Sequence, residues 1–291
     1  MDVTKMQMAC NSCDGSYDAM DVRFTPACDN SCPFCIEKHG VRPRQQVSAR
    51  ELADATIASA IRDVLILGGE PMLFPKKMLE YIHRIRGFAD HIWLTTSVPR
   101  TVWTNREEWR ETLCLLDGLN VSVQDALSEN GNNLKFRATL PHSRLKALEE
   151  LNGEFAEKIR VSIFLGKKNI TTLPELRTSI RALVKLGCWH IKICELQQCP
   201  ELYLSYEAIA GERLPSPFSH GCFTHLDSLS SMFGIEVDLK RSCFMVEPSQ
   251  KASMADLAKA VLKTVGLGRS ENRFAVLYEN AKLEKGWLHA D

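Results

Sequence analysis

The chain has 291 residues, 45% of them hydrophobic and 25% charged, enough apolar material for one large cored domain or two small ones. A disordered chain and a disulfide miniprotein are both excluded. Lys and Arg number 36 against 36 for Asp and Glu, a formal net charge of +0, so no global field draws the protein to nucleic acid or an anionic membrane, and phosphate recognition has to be local.

The opening stretch, residues 1–20 (beginning MDVTKMQMAC), has no basic segment followed by an apolar one, so secretion is not expected. A cytoplasmic location follows, in which the 11 cysteines, an odd number, stay free for metal, clusters or catalysis. No apolar run reaches the roughly 18 residues of a membrane span.

From about residue 21 to 196 short apolar runs alternate with amphipathic stretches. Six runs read as strands: Val22–Phe24, Val64–Leu67, Ile92–Thr95, Leu119–Val123, Val161–Phe164 and His190–Cys194. Between them, Ser48-Ala49-Arg50-Glu51 has capping-box spacing and opens a helix to about Ile61. Helices over Lys76–Arg86, Arg106–Leu115, Ser143–Leu151 and Leu173–Leu186 fill the later gaps, the last with Pro174 in its first turn. Six such units imply an α/β fold, a partial (β/α)6 TIM-like barrel of parallel strands, with ligands at the strands' carboxyl ends. Past about Gln197 the rhythm breaks at Pro200, Pro215 and Pro217. Residues 197–291 read as an irregular α+β extension that covers substrate or holds an auxiliary site, with a helix over Ser253–Val265 and a hairpin over Arg273–Trp287 turning near Glu279-Asn280.

Directly after the first strand, Pro26-Ala27-Cys28-Asp29-Asn30-Ser31-Cys32-Pro33-Phe34-Cys35 sets three thiols at C-x3-C-x2-C spacing in one loop. Three thiolates converging from a loop suit a [4Fe-4S] cluster with one iron left open. A zinc site completed by a distant Cys or His is the competing reading, although zinc more often takes two separated pairs. At the second strand's end, Gly68-Gly69-Glu70-Pro71 joins glycines that permit close backbone approach to a carboxylate able to pair with an ammonium.

The thiol spacing, with an aromatic residue before the last cysteine, resembles the C-x3-C-x-aromatic-C motif of the radical S-adenosylmethionine (SAM) superfamily. Gly68-Gly69-Glu70-Pro71 resembles its GGE(P) segment. The layout of residues 160–197 is similar to the GTP-cyclising enzymes of molybdenum-cofactor biosynthesis. The resemblance implies an enzyme that reductively cleaves SAM at a [4Fe-4S] cluster to a 5′-deoxyadenosyl radical, which abstracts hydrogen from substrate. Cys28, Cys32 and Cys35 would then ligate the cluster. Gly68, Gly69, Glu70 and Pro71 would anchor SAM, Phe34 would wall the cluster or adenine, and Ser97, Ser122, Ser162 and Lys192 would meet SAM from later strand ends. Also implied are a nucleotide, nucleoside or nucleobase substrate, with a peptide as the alternative, and an electron donor such as flavodoxin or ferredoxin. A non-catalytic zinc or iron–sulfur module on the same scaffold is the alternative of another class; nucleic acid as a partner has no support in the net charge.

Cys10, Cys13, Cys199, Cys222 and Cys243 could hold an auxiliary iron–sulfur cluster or zinc. Cys114 and Cys188 read as small buried apolar groups and Cys194 as a strand residue. His39, His142 and His220 lie in loops, and Lys38, Arg42 and Arg44 read as a solvated basic segment after the cysteines.

Overall fold

The computed structural model describes residues 19–35, 46–188, 190–195, 201–210, 223–225, 243–246 and 274–284. Six parallel strands stand side by side in chain order: β1 (Ala19–Arg23), β2 (Asp63–Leu67), β3 (His91–Thr96), β4 (Gly118–Val123), β5 (Ile159–Leu165) and β6 (His190–Glu195). Parallel neighbours need a crossover, and each gap supplies a helix. These are α1 (Ala49–Ala58), α2 (Pro75–Ile85), the short α3 (Thr101–Thr104), α4 (Arg106–Leu115), α5 (Glu129–Phe136), α6 (Arg144–Phe155) and α7 (Leu173–Lys185).

The capping boxes form as spaced. Ser48 Oγ accepts from the Glu51 amide at 3.2 Å while Glu51 takes the Ser48 amide at 3.0 Å, and Thr172 and Glu175 repeat the exchange ahead of α7. α5 was not expected from the sequence. Its segment ENGNNLKF carries no apolar stripe, and what it buries includes Asn132 and Asn133.

The sheet is wider than six strands. Beyond β6 lie β8 (Cys243–Val246), parallel to it, and the antiparallel β7 (Phe223–His225); beyond β1 lie β9 (Phe274–Leu277), parallel to it, and the antiparallel β10 (Leu283–Glu284). Eight parallel strands with an antiparallel strand at each edge make an open, partly wound barrel, and among the described residues the two edges do not pair. Parts of the region 197–291 thus extend the sheet on both sides. The expected C-terminal hairpin is β9–β10, with Tyr278–Lys282 between its strands. A short α8 (Tyr206–Ala210) follows β6, and the helix expected over 253–265 lies outside the described residues. Among the described residues no helix is long and apolar enough to cross a membrane.

Strand alternation divides the sheet's faces. Met20, Val22, Val64, Ile66, Ile92, Leu94, Leu119, Val121, Val161 and Ile193 point one way, into a core closed by Leu52, Met78, Ile82, Leu113, Leu148, Ile180 and Leu183 of the helices. Each such side chain contributes about 1.5–3 kcal/mol on full burial. Residues of the other parity form rows across the concave face: Thr95, Asn120, Arg160 and His190 in one register, then Ser122, Ser162 and Lys192. Arg160 lies 4.7 Å over the Trp93 ring and donates to Asn120 at 2.7 Å, so the lower row is a polar plug rather than an apolar filling. Gly118 is where the Trp93 ring needs room, since a Cβ there would overlap it.

Candidate active site

The loop carrying Cys28, Cys32 and Cys35 leaves the carboxyl end of β1, and Gly68-Gly69-Glu70-Pro71 leaves that of β2. The two are fastened backbone to backbone. Phe24 N donates to Leu67 O at 2.9 Å, Gly69 N to Thr25 O at 2.7 Å and Glu70 N to Ala27 O at 2.7 Å. This explains both glycines. Gly68 has φ +132°, and a Cβ on it would stand 2.6 Å from Thr25 O; one on Gly69 would overlap the Ala27 carbonyl. The close approach expected of a ligand is made here by the neighbouring loop.

Glu70 is 1% exposed. One carboxylate oxygen accepts from Met72 N at 3.1 Å and Thr96 Oγ1 at 2.7 Å, the other from Ser97 N and Ser97 Oγ, both at 2.7 Å. Four donors fill the oxygens' usual capacity. The side chain therefore holds the end of β3 and caps the single 3-10 turn that Pro71 opens. Burial pushes its pKa up against these bonds.

Ser97, expected at a cofactor, is also committed: it donates to Glu70 and accepts from Asn30 Nδ2 at 2.7 Å. Arg144, which the sequence reading missed, reaches the same place from the start of α6. Its Nη2 donates to Asn30 Oδ1 at 2.9 Å and its Nη1 to Ser97 O. Asp29, in the cysteine loop, stands 3.7 Å from it. Nothing local in the sequence marks Arg144, because its partner Asn30 lies 114 positions away.

None of Cys28, Cys32 and Cys35 is in a disulfide. Burial along the loop pushes the Cys28 thiol up to about 12, the Asn30 amide opposing, although part of the side chain reaches solvent. Among the described residues no three His, Cys, Asp or Glu side chains converge tightly enough for a single metal ion. Phe34 stacks on Phe164 of β5 at 5.8 Å and 26°, with Leu202 against both, so it walls the strand-end face between the cysteine loop and β5. Ser122, Ser162 and Lys192 are register partners across β4, β5 and β6. Burial lowers the Lys192 pKa to about 8, and the same cause raises that of Cys194 on its strand.

Cys188 is buried after α7, as expected, and accepts from Asn152 Nδ2 at 3.1 Å. Cys114 corrects the expectation: it is exposed, because the buried face of α4 is carried by Trp109, Thr112 and Leu113. Cys10, Cys13, Cys199 and Cys222 lie outside the described residues, as do Lys38, His39, Arg42, Arg44, His220 and the side chain of Cys243 on β8.

The radical SAM superfamily model matches residues 22–186, more than half of the chain. The chain belongs to the radical SAM superfamily. Its matched span runs from β1 to the end of α7, taking in the cysteine loop and the Gly-Gly-Glu turn. No curated protein matches significantly. Among solved structures, the chain is similar to BtrN in complex with AdoMet and 2-DOIA (13% identity, 52% of this chain and 58% of that one, TM-score 0.37). It is also similar to native anSMEcpe with bound AdoMet and Cp18Cys peptide (13%, 60% and 50%, 0.40) and to the Bacillus subtilis HMG-CoA lyase (11%, 90% and 76%, 0.40). The alignments span 58% and 50% of the first two, about half of their length. The superfamily implies SAM and a [4Fe-4S] cluster as cofactors.

Proposed function

We propose that the protein is a radical SAM enzyme whose cluster is held by Cys28, Cys32 and Cys35. The observation that carries this reading is the backbone fastening of the cysteine loop to Gly68-Gly69-Glu70, at 2.7 Å twice, which makes the two sequence motifs one site. The donor set fits the group: three thiols outside any disulfide share one loop, and a cube that takes each at its own corner asks for wider spacing than a single ion does. A cluster held by these three thiols would supply the one electron that cleaves the sulfonium C–S bond of SAM to methionine and a 5′-deoxyadenosyl radical, the species that would take a hydrogen atom from substrate.

The chain's own residues bind, orient and exclude water. Glu70, through Thr96 and Ser97, keeps three strand ends in one rigid frame. Phe34 and Phe164 supply an apolar wall at the mouth, while Ser122, Ser162 and Lys192 offer polar contacts from the adjacent strands. For the substrate we favour the nucleotide, nucleoside or nucleobase class: a planar ring system, anionic where it carries phosphate. A cavity of about 190 Å³ beside Phe34 is bordered by Arg137 and Lys168, with Lys135 held by Asp125 at 3.6 Å on the same side, and this pairing of ring and cations supports that class over a peptide. Electrons would come from a flavodoxin- or ferredoxin-type donor.

Anaerobic reconstitution tests the reading. A brown protein absorbing near ~400 nm, as cysteine-ligated iron–sulfur clusters do, that releases 5′-deoxyadenosine from SAM under reduction is expected. A colourless protein holding stoichiometric zinc overturns it.

A further inference from the structure

We infer that Arg144 is a positioning residue that fixes the cysteine loop to the end of β3 and, by its charge, raises the reduction potential of the cluster; this rests on the cluster assignment above. Its guanidinium is 2% exposed, and all three of its nitrogens are engaged. Nη2 donates to Asn30 Oδ1 at 2.9 Å, Nη1 to the Ser97 carbonyl, and Nε to Asn133 Oδ1 at 3.2 Å, while the Phe136 ring lies 5.0 Å away. From Asn30 the bonds continue through Ser97 Oγ to Glu70. One side chain thus joins α6, the cysteine loop, the end of β3 and the Gly-Gly-Glu turn. With its donors spent inside the protein, Arg144 is held in place and does not reach out toward a ligand.

Its position matters as much as its bonds. Arg144 is in electrostatic reach of Asp29, Glu70, Cys28 and Cys32, a set whose members are negative or become so when the thiols bind metal. Inside a protein a charge acts through a weaker dielectric than water, and solvent and salt screen a buried guanidinium little. Reduction adds one negative charge to the cluster, so a fixed cation beside it favours the reduced form, and charge near an iron–sulfur cluster is one of the levers that set its potential. Asp29, 3.7 Å from the guanidinium, works the other way by offsetting part of that charge.

The full-length holoprotein, reconstituted anaerobically and titrated potentiometrically with the reduced cluster followed by electron paramagnetic resonance, tests this. Arg144→Gln is expected to lower the reduced-to-oxidised ratio at a given potential about tenfold, a shift of about 59 mV for a one-electron couple. Arg144→Lys keeps the charge but not the three-way reach, so its midpoint should stay near wild type while a chelator strips its iron faster. Asp29→Asn should move the midpoint up. An unchanged midpoint in a fully loaded Arg144→Gln protein overturns the inference. Should Arg144→Gln fail to hold iron, Asp29→Asn decides, and a midpoint that does not rise overturns it equally. Wild-type protein without any cluster sinks the cluster assignment itself, whereas a wild-type cluster with potentials indifferent to both changes sinks only the role of Arg144.

Discussion

Substituting Gly69 by alanine probes the fastening that makes the two motifs one site. The new Cβ would overlap the Ala27 carbonyl oxygen and lie 2.8 Å from that of Pro26, both backbone atoms that a rotamer change cannot move. Relief means separating the cysteine loop from the turn, which gives up the bonds from Gly69 N to Thr25 O and from Glu70 N to Ala27 O. At about 0.5–1.5 kcal/mol net for each, the loss is about 1–3 kcal/mol. A midpoint drop of roughly 2–4 °C per kcal/mol applies to a chain toward this size, so thermal unfolding of metal-free protein followed by circular dichroism should fall by several degrees. Iron retained per chain after reconstitution should fall with it. Gly153→Ala is the internal control: Gly153 is exposed within α6, with no atom near its would-be Cβ, so the same chemical change should add about 0.5–1 kcal/mol. A Gly69→Ala protein that melts like wild type and keeps all its iron would refute the claim that loop and turn are locked together.

The hairpin β9–β10 is held to β1 by Arg23 and Glu279, which face each other at 3.5 Å with 1% exposure on both sides and the Tyr278 ring 5.6 Å from the guanidinium. Glu279→Gln leaves that buried charge short of compensation and should cost about 3–5 kcal/mol in urea denaturation; an unmoved midpoint would mean the hairpin does not depend on the pair. His142 is another buried cost. Burial, with the charge of Arg144 beside it, lowers its pKa to about 4. The unfolded histidine protonates near 6.5, so the unfolded state binds more protons between about 4 and 6.5 and stability declines as pH falls through that window. His142→Phe should flatten the decline by about 1–2 kcal/mol after allowance for solvent screening, read as the difference between two urea series, and parallel series would dismiss the idea. For Lys192, lowered to about 8 by burial, the unfolded state holds the extra proton between about 8 and 10.5, so wild-type stability rises with pH there. Lys192→Met should be more stable at pH 7 by up to about 3 kcal/mol and lose that slope, and a less stable variant with the slope intact would contradict it.

The order of the six central strands was legible because each is covered by helices on one face and reads as a short apolar run with a helical stretch behind it. The boundaries held to within a few residues where a cap with its own chemistry marks them, as at Ser48 and Thr172. α5 was invisible for the opposite reason. Asn132 spends its side chain accepting from the Gln124 and Asp125 amides, and Asn133 donates to the Glu129 and His142 carbonyls, so hydrogen bonds replace the apolar stripe that a periodicity search needs. The docking of β8 beside β6 and of β9 beside β1 was equally hidden: the β9–β10 hairpin could be read locally, but its pairing with a strand about 250 positions away could not.

The candidate site divides along the same line. Metal chemistry fixes residue type and spacing within one loop, so Cys28, Cys32 and Cys35 can be read one after another. The frame around them is built from pairs far apart in the chain: Glu70 with Ser97, Asn30 with Ser97, Asn30 with Arg144. Each member taken alone is an ordinary polar residue, and only the fold shows that they are consecutive links. Glu70 makes the difference plain. Its motif was recognisable and its burial was not, and burial adds a structural task to the carboxylate, since four internal donors bind its oxygens and tie the turn to the end of β3. A motif therefore locates this site more securely than it assigns the work of each side chain in it; that work follows from which donors and acceptors the fold has already consumed.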